Sequence, residues 1–490
     1  MPPLLSSSSS SSSPSLSLRS LHTLLAVFLL VAVVLPFALL WTASLFATEA
    51  PANERSMSTA NRVLGYVIFH RHGHRAPARN VLSSSFDKTV ASPEELSLWL
   101  SMMPSESLLR RITTPFKLDI HDDNPIEPDR LNFPFGSITT KGDRSFCINL
   151  TQTLPLHFTL LYFTFDEIGI NHLIDVGIKI GKRFPLIKKA NQVDIVATNY
   201  QRTQLSAQAM LTGLGLEDTS TRNLKVQVRD IQQCAMSFYE GNPHLVTRLF
   251  KEAQAQEDFH ILEEHMASIS TSLIKEFPLM VRKDSNINSN NSSGGKIDWL
   301  AAFDYFACRE AHNLPISDNL DNNTAYGELV KEHMAKRVSL YLASGGEHVS
   351  LAAGPLLRDI KRSTDEIFTR SDIGENENVD VHVYSGHDVN ILALLYAIGA
   401  DSKLVSPPFW PDYGSNVVVE VHQGGSLKLY YELEPLKIRN ANELSSESTD
   451  FVSTISIDDL RGIMDMIFLG EDEHLKVLQE HRHYYNDKDL

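Results

Sequence analysis

The chain has 490 residues, room for about three domains at roughly 150 residues each. Hydrophobic residues make up 42% and charged residues 21%, which excludes a wholly disordered chain or a coiled coil. A net charge of -16, from 44 Lys and Arg against 60 Asp and Glu, argues against nucleic acid as the main partner, and 3 cysteines are too few for a disulfide scaffold or a multi-cysteine zinc site.

Residues 1–20 read as a low-complexity tail, with serine unbroken from Ser6 to Ser13. Residues 21–47 read as a signal anchor, because no charge interrupts Leu24 to Ala47 and about twenty apolar residues suffice to cross a bilayer. Pro36 would kink such a helix, which a membrane span tolerates. The alternative is a long signal cut near Ala47 or Ala50, which would release the protein to the exterior or to a lysosome- or vacuole-like compartment. In both cases the chain after Glu49 is expected in the lumen or outside the cell. The sequons at Asn291 and Asn322, each in or beside a polar loop, fit a glycoprotein on that side of the membrane.

From Arg62 the pattern is mixed α/β. Leu64 to Phe69 is a short apolar run of buried-strand length. Ser92-Pro93-Glu94-Glu95 opens a helix, with Ser92 as N-cap, proline in the first turn and a glutamate to close a capping box. Val193 to Thr198 reads as a strand and Thr203 to Leu214 as the helix after it. Residues 244–280 and 297–372 are helical in period, with an Asn- and Ser-rich loop between them. Strands return at Val381 to Tyr384, Val417 to Val421 and Leu427 to Tyr431. Strands at both ends with helices between predict an open α/β sheet carrying a helical insertion. Its parts are a core over 62–215 and 374–470, a mainly helical segment over 216–373, and a polar tail over 471–490.

Directly after the first strand stands His70-Arg71-His72-Gly73-His74-Arg75-Ala76-Pro77, where ligands bind in open α/β sheets. The alternating His70, His72 and His74 could serve as metal ligands, but Arg71 and Arg75 would repel a cation. Their planar guanidinium groups suit phosphate oxygens instead. Gly73 permits a close backbone approach. Two further segments follow strands in the same way: Ser385-Gly386-His387-Asp388, ahead of an apolar run over Ile391 to Ile398, and Asn199-Tyr200-Gln201-Arg202-Thr203. Together they describe phosphoryl transfer without a metal. Arg71, Arg75 and Arg202 would neutralise the phosphate oxygens, while Asp388 is placed to protonate a leaving alkoxide. Cations crowded around His72 would keep its imidazole neutral and nucleophilic in acid.

The segment Arg71 to Pro77 resembles the RHGxRxP signature of the histidine acid phosphatases, a branch of the histidine phosphatase superfamily, and His387-Asp388 resembles their distal His-Asp motif. The resemblance runs from about Leu64 to a last helix at Ile457 to Phe468. It includes Gly136-Ser137-Ile138-Thr139, Arg202-Thr203 with Ser206-Ala207, Gly354-Pro355-Leu356-Leu357 and Pro407-Pro408. It implies a phosphoglycerate-mutase-like α/β sandwich with an inserted helical cap, no cofactor and no metal. It also implies hydrolysis of small-molecule phosphate monoesters through a phosphohistidine. In that scheme His72 is the nucleophile, Asp388 the proton donor, and Arg71, Arg75, Arg202 and His387 hold the phosphate. Substrates narrower than simple monoesters, such as an inositol polyphosphate, a lysophospholipid or a phosphorylated glycan, form a second expectation. A catalytically inactive phosphate-binding surface protein is a third. The oligomeric state is not encoded in any motif.

The family passes from a Thr-x-x-Gly turn straight into a helix like Ile170 to Phe184. Here Thr139-Thr140-Lys141-Gly142 is followed first by residues 143–169, which read as an insertion or as translated intron sequence. Leu154 to Phe165 is compatible with the pyrimidine-rich codons of an intron's 3′ end. Cys147 lies inside that block. The remaining pair, Cys234 and Cys308, sits where the family places cysteines, so a Cys234–Cys308 bridge is an open expectation in an oxidising lumen. Val196 stands where many relatives carry arginine, which predicts altered packing beside the Arg202 segment.

Overall fold

The computed structural model describes residues 62–84, 90–125, 134–135, 137, 168–216, 224–282, 296–317, 323–343, 346–371, 379–439 and 451–467. The expected anchor, both sequon asparagines (Asn291 and Asn322), Cys147 and nearly all of residues 143–169 lie outside these. Among the described residues no helix is long and apolar enough to cross a membrane.

A nine-stranded mixed sheet organises residues 60–490, which form one compact unit. Its strands are β1 (Val63–Arg71), β2 (Lys117–Ile120), β3 (Gln192–Ala197), β4 (Lys225–Val228), β5 (Asp380–Gly386), β6 (Asn416–His422), β7 (Ser426–Tyr431), β8 (Glu434–Pro435) and β9 (Thr454–Ser456), in the order β8-β7-β6-β1-β5-β3-β4-β2 with β9 on β7. The half from β1 to β2 is parallel and the half from β6 outward is antiparallel. The predicted strands are all present; four are slightly longer than read, and β3 starts and ends one residue earlier than read. Sequence analysis missed β2 and β4, because each has only four residues and exposes charged or polar side chains such as Lys117, Asp119 and Lys225.

Helices cover both faces. After β1 comes α1 (Pro93–Ser101), whose Trp99 joins a small separate core, and one face of the sheet is covered by α2 (Glu106–Thr113), α3 (Ile168–Arg183) and α4 (Gln201–Leu214). There Tyr66 and Ile68 of β1 join Leu173, Ile180, Met210 and Leu211 in a dry core. The segment between β4 and β5 carries α5 (Pro243–Gln254), α6 (Glu257–His265), α7 (Ala267–Glu276), α8 (Trp299–Ala311), α9 (Asn323–Ala343) and α10 (Gly346–Ser371). The chain then adds α11 (Asp388–Ala397) and closes with α12 (Ile457–Ile467). On the second face Val67 and Phe69 enter the larger core with residues of α10 and α11, and Phe69 stacks on Tyr384 at 4.5 Å. Val196 is buried in that core too. Although β4 and α10 fall within the stretch read as helical, 216–373, β4 pairs with β3 and β2 in the main sheet and α10 packs on β1.

Two local readings are corrected. Ser92 does cap α1, accepting from the Glu95 backbone N–H at 3.2 Å, but Glu95 does not complete a capping box. Its buried carboxylate accepts from the Trp99 indole at 2.6 Å and from Arg309 at 2.7 Å, tying α1 to α8. The Cys234–Cys308 bridge is not made. Both are buried free thiols, and they sit in different cores, Cys234 under the helical segment and Cys308 beside Tyr413 and Trp99.

Helices α3 and α4 touch backbone to backbone. A Cβ on Gly213 would overlap the Ile174 carbonyl and come within 3.0 Å of the Gly177 Cα. Alanine normally gains up to ~1 kcal/mol over glycine within a helix, but here the added methyl has rigid backbone to displace. Gly213→Ala should therefore lower unfolding stability by about 1–3 kcal/mol, read by chemical denaturation. An unchanged or raised midpoint would refute the close contact.

Candidate active site

The parallel strands bring three distant segments to one edge. In register, Arg71 of β1 lies opposite Gly386 of β5, and Ala197 of β3 lies opposite Ser385. The pairing continues past the strand ends: the His72 N–H donates to the Gly386 carbonyl at 3.0 Å, and Thr198 N–H to the Ser385 carbonyl at 3.3 Å. The 410–415 loop docks from the other side. Arg71 N–H donates to the Ser415 carbonyl at 2.9 Å, and Gly414 N–H to that of His72 at 3.2 Å. Helices α4 and α11 start here, so their N-terminal N–H groups add positive potential at the same edge.

The predicted site residues do converge. The ring centroids of His72 and His387 are 5.6 Å apart. His72 Nδ1 lies 2.9 Å from the Gly73 carbonyl oxygen. A carbonyl only accepts, so Nδ1 carries the proton and Nε2 keeps its lone pair. Gly73 N–H in turn donates to Ser206 Oγ at 3.0 Å. A side chain at Gly73 would collide with Gly169 and Leu173 of α3, which explains why this turn needs glycine. His387 Nε2 is 3.1 Å from Thr198 Oγ1, and Asn390 Oδ1 accepts the His387 backbone N–H at 2.9 Å. Asp388 opens α11. Its Oδ2 accepts from Arg71 at 2.8 Å and from the Trp410 indole at 3.0 Å.

Arg71 also donates to the Pro411 carbonyl at 2.6 Å and lies over the Tyr413 ring at 3.9 Å. Arg75 pairs with Asp304 of α8, whose other oxygen accepts the Ala78 backbone N–H at 2.5 Å. Arg202 lies over the Tyr200 ring at 4.0 Å. Two of the three arginines are thus oriented by carboxylates, and a guanidinium carries five N–H donors, enough to hold such a partner and a phosphate together.

Electrostatics separate these groups. Burial, and then the charges of Arg202, Arg75 and Arg71, hold the His72 imidazole well below its ordinary range. His387 is depressed by burial and Arg202, partly offset by Asp388. Burial alone would raise the Asp388 carboxyl, but Arg71 and the Trp410 hydrogen bond override it and hold it below the usual carboxylate range. The three alternating histidines do not gather as metal ligands. His70 is buried in β1 with Nδ1 at 3.1 Å from the Arg71 carbonyl, while His74 stacks on His172 at 4.8 Å. Among the described residues, the group of His, Cys, Asp and Glu tight enough to hold an ion is Asp194, Glu366 and His382. It lies away from this edge, and Arg370 already lies 3.5 Å from Asp194 and 3.4 Å from Glu366.

Sequence reasoning missed Asp304, Trp410 and Tyr413. Asp304 is remote in the chain from every motif, and although Trp410 and Tyr413 follow Pro407-Pro408 closely, a lone aspartate in a helix or an aromatic in a loop carries no local signal. A cavity of about 340 Å³ opens beside Arg71, His74, Trp410 and Tyr413. The larger cavity of about 630 Å³ lies along α10 and touches none of the predicted site residues. Its cations are largely paired with neighbouring carboxylates, as in Arg229–Asp359 and Lys361–Asp365, so the smaller cavity is the one joined to the chemistry.

Residues 63–451 match the histidine phosphatase superfamily (branch 2), and the chain belongs to that family. It is accordingly a phosphoric monoester hydrolase with the mixed α/β fold of that family. Among solved structures it is similar to the Hafnia alvei phytase in its apo form, at 15% identity over 86% of this chain and 98% of that one, with a TM-score of 0.47. It is also similar to a phytase from Citrobacter braakii, at 12% identity over 83% and 98%, with a TM-score of 0.45. A third is the Bifidobacterium longum multiple inositol polyphosphate phosphatase in complex with inositol hexasulfate, at 10% identity over 87% and 96%, with a TM-score of 0.45. No curated protein matches the chain.

Because Arg202 is the charge that most depresses His72 after burial itself, Arg202→Gln should move the His72 titration upward. Histidine nitrogen NMR across acid pH would read it, with wild-type His72 neutral well into the acid range. A His72 titration that is unmoved or moves downward in Arg202→Gln would overturn this account.

Proposed function

We propose that the protein is an acid phosphatase that cleaves phosphate monoesters through a phosphohistidine on His72. The observation that carries the reading is the His72 imidazole, fixed by Gly73 with Nε2 unprotonated and kept neutral by burial and three arginines. Such a nitrogen is a competent nucleophile in acid, where a free imidazole would be protonated. Arg71, Arg75, Arg202 and His387 bind the nonbridging oxygens and draw off the charge that develops on them.

In the first step the Nε2 lone pair forms a bond to phosphorus and the phosphorus–oxygen ester bond breaks. The departing electron pair goes to the leaving oxygen, which takes a proton from Asp388. In the second step water attacks phosphorus and gives its proton to the Asp388 carboxylate. The phosphorus–nitrogen bond breaks, its electrons return to Nε2, and inorganic phosphate departs. The depressed Asp388 carboxyl is at odds with an acid role in the empty site. A bound dianion reverses the balance by cancelling the arginine charge and adding a like charge beside the carboxylate.

His72→Ala should abolish hydrolysis of a chromogenic aryl phosphate at acid pH. A rapid alkaline quench with radiolabelled substrate should trap label on the wild type, because phosphohistidine survives alkali, and none on His72→Ala. Asp388→Ala should slow alkyl esters more than aryl esters, by on the order of 10²-fold or more in relative terms, since general acid catalysis typically contributes that much for a poor leaving group. His72-independent turnover, or equal losses on both ester types, would sink the respective assignment.

The same reading places the catalytic unit in the lumen or outside the cell, on the strength of the uncharged stretch Leu24–Ala47 and the sequons at Asn291 and Asn322. Full-length protein expressed in cells should resist protease in sealed microsomes and shift in mobility after endoglycosidase treatment. Digestion in intact microsomes with no glycosidase shift would exclude that placement.

A further inference from the structure

Resting on the phosphatase reading, we propose that the cavity beside the phosphate site is a leaving-group pocket for a single apolar or aromatic alcohol. The preferred substrates would be monophosphates of such alcohols rather than polyphosphorylated ones. The cavity shares its floor with the chemistry. Arg71 and Trp410 both line it, and both hydrogen-bond to Asp388, the group placed to protonate the leaving oxygen. An ester with its phosphate against His72 therefore directs its alcohol part into this space.

Aromatic and alanine side chains stand among the charged ones that line it. Phe303, Phe306, Ala307 and Ala311 line it from α8, the last three lying three, four and eight residues beyond the first, one face of a helix, and Trp410 and Tyr413 close the other side. Phe303 and Trp410 pack at 4.5 Å, which fixes both rings. His74 and His172 add a stacked imidazole pair. Burial depresses both, His74 to about 3, so His74 brings no positive charge to the pocket at moderately acid pH and burial disfavours one on His172. What charge remains beyond Arg71 is Lys331 against Glu310 and Asp412. A ring carrying several phosphates would meet one additional cation and two carboxylates, a repulsive balance inside a confined space. At about 340 Å³ the cavity is near the small end of the roughly 300–1,000 Å³ range of ligand sites, sized for one ring or a short chain.

The test compares esters of similar leaving-group basicity, so that chemistry does not mimic binding. Wild-type protein should show kcat/KM at least tenfold higher on 2-phenylethyl phosphate than on ethyl phosphate, and should turn over inositol hexakisphosphate more slowly than 2-phenylethyl phosphate. Ala311→Trp, which fills the pocket, should reduce the phenylethyl-to-ethyl ratio tenfold or more. Equal kcat/KM on the two alkyl esters, or faster turnover of inositol hexakisphosphate, would overturn the pocket while leaving the phosphatase reading intact. Failure of every ester to show His72-dependent turnover would overturn that reading and the pocket with it. The wild-type comparison needs no variant, so the proposal stays open to refutation even if Ala311→Trp does not fold.

Discussion

Arg71 joins three parts of the chain at a single guanidinium. It pairs with Asp388 at 2.8 Å, donates to the Pro411 carbonyl at 2.6 Å and covers the Tyr413 ring at 3.9 Å. The end of β1, the start of α11 and the 410–415 loop are thereby held at fixed distances. Both members of the pair are largely shielded from water. Removing one would leave the other charged and unpartnered, at a cost of about 3–5 kcal/mol. The pair serves the fold by closing the sheet edge, and it holds the Asp388 carboxylate at the edge that carries His72.

The same pair sets the electrical state of the empty site. Cations near His72 disfavour its protonation and favour that of no neighbouring base, so the imidazole stays neutral and the Asp388 carboxyl ionised. At Asp388 the balance shifts when a dianion enters. The added negative charge offsets the arginines and lifts the carboxyl toward protonation. In the proposed reaction the substrate thus prepares its own proton donor, and neither residue needs an intrinsic pKa near the working pH.

Much of this was legible in the sequence because it is local. Arg71, His72, Gly73 and Arg75 are nearly contiguous, and Arg202, His387 and Asp388 each sit directly after a run whose length and composition read as a strand. What escaped was long-range. Asp304 orients Arg75 from α8, more than two hundred positions away, and Trp410 reaches Asp388 from a loop with no periodicity. Glu95 shows how a local rule can be outbid. Its spacing from Ser92 fits a capping box, yet the carboxylate finds stronger partners in Trp99 and Arg309. Strands β2 and β4 failed to register because each has only four residues with polar side chains exposed, so hydrophobic alternation was too short to read.

The net charge of -16 argues against nucleic acid but does not set the field at the site. At the phosphate position the local field is positive, because Arg71, Arg75 and Arg202 stand within reach of His72 and close charges outweigh distant, screened ones. A few ångströms outward, Glu310 and Asp412 oppose Lys331 among aromatic walls. The field therefore changes character between the reacting phosphate and the alcohol it leaves. That gradient, rather than the total charge, is what distinguishes one phosphate from many: a monophosphate places its only dianion where the cations are, while any second phosphate on the leaving alcohol must sit where they are not.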